Sequence, residues 1–299
     1  MSSRNFREML EAKWAEGKFV CVGLDPDWDK IPECIKTRKT GRFSPRAGSS
    51  SVEGLLYAFC TSIVDATHDL VCAYKPNAAF FEEESAEGGY ALDGVIRYIN
   101  KLAPDVPVIY DAKRGDIGNT NKGYVQDAFG TLKADAITVH PYLGREALQP
   151  FLDQKDKGII VLCRTSNKGA DEFQDLVTLD KVGAGSFRLY ERVAWQVSQH
   201  WNGNGNCALV AGATYPEELE RVRHIVGDMP ILIPGIGAQG GDLEATVKAG
   251  MDSRGKGMII NSSRGIIFAS SEEDFAEAAR RETLKLHEAI NAVREKGKA

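Results

Sequence analysis

The chain has 299 residues, 43% of them hydrophobic, which is ample for a sizeable core. Its net charge of −5 and pI near 5.7 argue against a general nucleic-acid or membrane surface, but not against a local cationic pocket for a small anion. No apolar run approaches the roughly 18 residues of a membrane span, and Met1 to Glu8 reads as the start of an amphipathic helix without the apolar centre of a signal peptide.

Six cysteines (Cys21, Cys34, Cys60, Cys72, Cys163 and Cys207) are scattered without a C-x-x-C spacing. Four sit inside apolar, strand-like runs, where cysteine behaves as a small buried hydrophobe. They read as reduced core residues of a cytoplasmic protein. The five histidines show no metal-site spacing.

Eight short apolar runs rich in Val and Ile punctuate the chain. In order they are Phe19–Asp25, Val71–Lys75, Val106–Asp111, Ala136–His140, Gly158–Cys163, Cys207–Ala211, Ile231–Ile236 and Gly257–Asn261. Near-continuous apolar runs suit strands buried on both faces of a parallel sheet. Helical patterns lie between them. Ser50 and Ser51 precede Val52-Glu53, with Glu53 three residues after Ser50, and so read as a helix start leading into Leu55, Leu56, Phe59, Ile63 and Val64. Further helices are expected over 92–102, 121–132, 144–152, 186–201, 216–226, 242–248 and roughly 272–296. Eight strand–helix alternations point to an α/β fold, a (β/α)8 TIM barrel in one domain spanning 1–299. An open doubly wound sheet is the runner-up, but no dinucleotide fingerprint is visible. Two loops run long, about 26–51 after the first strand and about 165–185 after the fifth. A long loop at a strand's C-terminal end is a candidate lid or a tolerated surface insertion.

The third run ends in Asp111-Ala-Lys113-Arg-Gly-Asp116, with Gly115 and Gly118 as punctuation. Residues two apart on a strand point to one side, so Asp111 and Lys113 should share a face, with Asp116 on the loop beyond. A solvated strand end with a surface ion pair is the plain reading of that motif alone. The other strand ends change the balance. A barrel gathers them at one mouth: Asp25, Lys75 and Asn77, Asp111 and Lys113, His140, Ser166, Gly235 to Gln239, and Ser262 to Gly265. The glycines of Pro234 to Gly241 allow close backbone approach to an anion, and Arg264 adds a forked donor, so the last two loops read as a phosphate site. An alternating Lys75, Asp111, Lys113, Asp116 array holds Lys113 protonated as a general acid. An anionic Asp111 beside it disfavours a substrate carboxylate more than a transition state in which that charge departs. Together they describe a decarboxylase that protonates the carbanion left behind.

These residues resemble the orotidine 5′-monophosphate decarboxylase family. The Asp111–Ile117 stretch looks like its signature, and Gly23-Leu-Asp25, Lys75-Pro-Asn77, Arg164-Thr-Ser-Asn167, Pro234 to Gly241 and Arg264-Gly265 follow in the expected order. The resemblance is to the larger bacterial-type subgroup, although Lys168 stands where related sequences often carry proline. It implies a carboxy-lyase making UMP and CO2 in the last step of de novo pyrimidine biosynthesis, with no metal or organic cofactor. It also implies catalytic roles for Lys113 (proton donor to C6), Asp111, Lys75 and Asp116. Substrate binding would fall to Asp25 at the ribose, Asn77, Thr120, Ser166 at the pyrimidine with Gln239 bridging it towards the phosphate, Pro234, Gly240, and Arg264 with Gly265 at the phosphate. Asp116 and Thr120 would reach a neighbouring subunit's site, implying a homodimer. A fused phosphoribosyltransferase is not expected in this length. Two alternatives stay open: a Mg²⁺-dependent sugar-phosphate decarboxylase or aldolase of the same superfamily, which would place an acidic ligand where Lys75 stands, and a non-catalytic phosphate-binding barrel.

Overall fold

All eight apolar runs become strands of one parallel sheet, in a computed structural model that describes residues 4–37, 51–179, 186–236 and 242–296. In chain order the strands are β1 (Val20–Leu24), β2 (Val71–Pro76), β3 (Ile109–Arg114), β4 (Ala136–Val139), β5 (Gly158–Arg164), β6 (Val177–Leu179), β7 (Ser186–Arg188), β8 (Cys207–Ala211), β9 (Ile231–Pro234) and β10 (Met258–Ser262). The sheet runs β2-β1-β10-β9-β8-β5-β4-β3, every pair parallel. Its ends meet through two isolated bridges, Tyr74 with Val108 and Asn77 with Asp111. That closure gives a nearly closed barrel and removes the open doubly wound sheet from consideration. Strands 1, 2, 4, 8 and 10 are buried along their whole length, because helices cover the outside while side chains fill the inside.

Helix starts follow from local chemistry. Asn5 caps the helix Phe6–Ala15, its side chain accepting from Glu8 N at 3.1 Å. This helix seals the barrel floor: Phe6, Leu10 and Trp14 are buried, and Trp14 Nε1 donates to Met258 O at 2.8 Å. Ser51, not Ser50, caps the helix Val52–Thr67, accepting from Gly54 N at 3.1 Å. The acid expected to complete the cap instead has its own amide bound by Glu87, which draws the start one residue later.

Two expectations need correction. The third strand is displaced toward the mouth, at Ile109–Arg114, so the charged residues belong to the strand itself. The segment 186–201 is not all helix. Val177–Leu179 and Ser186–Arg188 pair as a small antiparallel hairpin, β6 with β7, before the helix Leu189–Gln196 begins. Short β-branched and aromatic stretches such as Val177-Thr-Leu pair more readily than they coil. Both long loops lie partly outside the described residues, at 38–50 and 180–185. Their described parts carry the short helices Glu33–Thr37 and Asp171–Gln174.

Candidate active site

β2 delivers Lys75 and β3 delivers Asp111 to the same level of the mouth, locked by the Asn77–Asp111 bridge and by Ala78 N donating to Asp111 O at 3.1 Å. Lys75 Nζ donates to Asp111 Oδ2 at 2.6 Å, and Lys113 Nζ donates to Asp111 Oδ1 at 2.7 Å. One carboxylate is thus clasped between two ammonium groups. Burial works against the charge of Asp111, but the two lysines outweigh it and hold the carboxyl well below the usual range. Burial likewise opposes the charge of Lys75, yet Asp111 and Asp25 push its ammonium above the ordinary lysine range.

The route by which Lys113 reaches Asp111 differs from simple strand alternation. Lys113 has φ +49°, in the left-handed region that favours glycine, and the β3–β4 register shifts between Tyr110 and Arg114. The strained backbone is pinned by Thr138 of β4, whose Oγ1 accepts from Lys113 N at 2.9 Å and donates to Asp111 Oδ1 at 2.9 Å. Strain held in place by neighbouring bonds is common where chemistry is done.

A cavity of about 530 Å³ opens above this array. It brings together Asp25, Lys75, Asn77, Asp111, Lys113, Ser166, Pro234 and Arg264, with Leu162, Val210 and Leu232 as an apolar wall. Asp25 Oδ1 lies 4.0 Å from Lys75 Nζ and, among the described residues, has no hydrogen-bond partner despite its burial. A buried carboxylate oxygen left unmatched is an acceptor waiting for a ligand donor. Gly23 sits where a Cβ would come within 1.8 Å of Ser263 Oγ, so only glycine lets β1 lie this close to the end of β10.

Arg264 is exposed and lines the cavity with Pro234 and Gly235, whereas Gly265, also exposed, does not line it. Gln239 and Gly240 fall within 237–241, outside the described residues. Asp116 and Thr120 do not line this cavity. Asp116 lies past the turn, its N–H bound by Asn121 Oδ1 at 2.9 Å, and Thr120 is exposed on the helix Gly118–Val125. His140 is not in the cavity either. Its Nε2 lies 3.0 Å from Gly115 O, supporting the turn.

Two polar residues escaped the sequence reading. Thr138 is a hydroxyl inside a buried Val/Ile strand, and Asn261 is an amide buried in β10 that lines the cavity with its Oδ1 unmatched among the described residues. A polar side chain in a strand buried on both faces was the available signal. Among the described residues no cluster of three or more His, Cys, Asp or Glu could hold a metal ion.

Comparison with known proteins is decisive here. The profile of the orotidine 5′-phosphate decarboxylase / HUMPS family matches residues 18–281. The chain belongs to that family. An orotidine 5′-phosphate decarboxylase of Azoarcus sp. is 49% identical over 97% of this chain and 100% of its own length. One from Cupriavidus taiwanensis is 50% identical, covering 97% of this chain and 98% of the relative. Among solved structures, Leishmania donovani OMP decarboxylase superposes with a TM-score of 0.78 at 39% identity, covering 97% of this chain and 98% of that one. The family match spans β1 to β10, so the mouth described above lies wholly within it.

Proposed function

We propose that this chain is a carboxy-lyase that converts orotidine 5′-monophosphate to UMP and CO2, with Asp111 and Lys113 at the reacting carbon. The observation that carries the reading is the single carboxylate held ionised between Lys75 and Lys113 under an open cavity. The substrate phosphate sits at Arg264 and Gly265 against Pro234 and Gly235, and the resemblance assigns Gln239 and Gly240 to substrate binding as well. The ribose meets Asp25, Lys75 and Asn77, and the pyrimidine meets Ser166. The substrate carboxylate then lies beside Asp111. As the C6–carboxylate bond breaks, its electron pair stays on C6, CO2 leaves, and the Lys113 ammonium supplies the proton. Repulsion from Asp111 weakens as that negative charge departs, which favours the transition state over the bound substrate.

Magnitudes limit what one group does. General acid catalysis contributes about 10²–10⁴-fold, some 3–5 kcal/mol, against a demand of up to about 23 kcal/mol in the hardest enzymatic reactions. The remainder comes from preorganised charge and from phosphate binding energy used to order the site.

The enzyme works as a cytoplasmic homodimer in which Asp116 and Thr120 complete the neighbour's site. Their position past the Gly115 turn, outside their own cavity, supports this, as does the exposure of Ile117 and Tyr142 nearby. The six cysteines are all free and five are buried, in keeping with a reducing compartment. The Mg²⁺-dependent sister activity fits less well, because the second strand ends in a buried ammonium already bound to Asp111. A spectrophotometric assay of orotidine 5′-monophosphate, run with and without EDTA, tests both points. Turnover that survives EDTA is expected; no turnover refutes the activity, and loss only with EDTA favours the metal-dependent relative. Mixing Lys113→Ala and Asp116→Ala chains should regenerate active mixed dimers, and failure to do so removes Asp116 from the partner's site.

A further inference from the structure

Arg164 belongs to a motif from which only Ser166 has so far been given a role. It ends β5 with its side chain 6% exposed, which is costly for a guanidinium unless its donors are matched. Two of its nitrogens are matched from outside the loop, and Nη2 also lies 3.5 Å from Asp175 Oδ2 within it. Nε donates to Glu218 Oε2 at 2.6 Å and Nη2 to Glu218 Oε1 at 3.1 Å, a forked pair that ties β5 to the helix Pro216–Val226. The guanidinium lies 5.7 Å from the ring centres of both Tyr190 and Tyr215. Its remaining nitrogen, Nη1, donates to Gln174 Oε1 at 3.3 Å.

Gln174 then turns the clasp toward the cavity. Its Oε1 also accepts from Thr165 N at 2.9 Å, and its Nε2 donates to Thr165 Oγ1 at 2.8 Å. Thr165 Oγ1 in turn donates a hydrogen bond to Asn167 Oδ1 at 2.6 Å. Residues on both sides of Ser166 are thereby fixed. Beneath it, a Cβ on Gly212 would lie 2.8 Å from Ser166 Cβ, so the serine is seated directly on the backbone after β8.

We infer that Arg164 and Gln174 are positioning residues for base recognition: the Glu218–Arg164–Gln174–Thr165 chain holds Ser166 at the height where it reads the pyrimidine. The inference rests on the proposed placement of the base at Ser166. Gln174 is half-buried on a four-residue helix, so its replacement tests the chain with little risk to the barrel.

The experiment is titration calorimetry on the full chain with two probes, UMP and ribose 5-phosphate, which share the phosphate and sugar but differ in the base. Gln174→Ala should weaken UMP about tenfold, the scale of one lost charge-assisted hydrogen bond, while ribose 5-phosphate stays within about twofold. Gln174→Glu keeps both acceptor contacts but loses the donor to Thr165 Oγ1, and should recover part of the UMP binding lost in Gln174→Ala. Equal weakening of both probes, or no change in either, overturns the inference and leaves a merely structural Arg164. Ser166→Ala should erase the preference for UMP over ribose 5-phosphate; if it does not, the base placement fails, and the inference with it. A native chain that binds neither probe points instead to failure of the proposed activity.

Discussion

The two ends of the barrel treat buried charge in opposite ways. At the floor, Arg223 is buried and every donor group has a carbonyl: Nε to Gly250 O, Nη1 to Gly227 O and Met229 O, Nη2 to Gly257 O, all at 2.6–2.9 Å. Asp135, fully buried, accepts two bonds from Arg4 and one from Val108 N. At the mouth, Asp111 is shared between two lysines and a threonine, while the Asp25 carboxylate keeps an unmatched buried oxygen among the described residues. A left-handed lysine occurs near both ends, Lys133 two residues before Asp135 at the floor and Lys113 within β3 beside the cavity. A satisfied charge stabilises a fold, whereas an incompletely satisfied one is poised to act on something else.

This contrast can be broken. The largest effect is expected from Lys113→Ala, which should cut turnover by at least about 10²–10⁴-fold in the spectrophotometric assay while UMP binding remains measurable. Near-native rates would remove Lys113 from proton transfer. Arg264→Ala should come next, lowering kcat/KM by about 10²-fold or more, near 3 kcal/mol, although it touches no reacting atom. Unchanged kinetics would refute the phosphate assignment. At the floor, Arg223→Met should destabilise the protein by about 3 kcal/mol, since several carbonyls lose their donor. Chemical denaturation measures that loss, and kcat/KM of the folded enzyme should not move. A catalytic defect without destabilisation would reverse the division between the two ends.

The smallest effect concerns pH. The depressed carboxyl of Asp111 contributes stability that is present above its unfolded value of about 3.9 and fades as pH falls through the folded value. The difference in melting temperature between the native chain and Asp111→Asn should therefore be steady near neutrality and shrink below about pH 4. A difference that grows on acidification would contradict the electrostatic account.

How legible the molecule was from its sequence depended on the range of the interaction. The eight strands stood out because burial on both faces demands unbroken apolar runs such as Ile159-Ile-Val161 and Ile231-Leu-Ile233. Lys75, Asp111 and Lys113 could be read because charge at the end of such a run is conspicuous. The left-handed Lys113 could not, because it depends on a hydroxyl 25 residues away on β4. The clasp on Arg164 was hidden for the same reason, since Glu218 comes from a helix 54 residues later. The β6–β7 hairpin was missed because three-residue strands carry too little periodicity.

The junction between β2 and β3 has a further consequence. Among the described residues two isolated bridges and no continuous ladder join these strands, and the Lys75–Asp111 pair lies across the same junction. The charged pair is therefore also the fastener of the barrel's seam. A ligand that adds contacts to Lys75 and Asp25 also laces that seam from above. Slower amide hydrogen exchange at Tyr74 and Ala78 in the presence of UMP would register the tightening directly, linking occupancy of the mouth to the integrity of the wall.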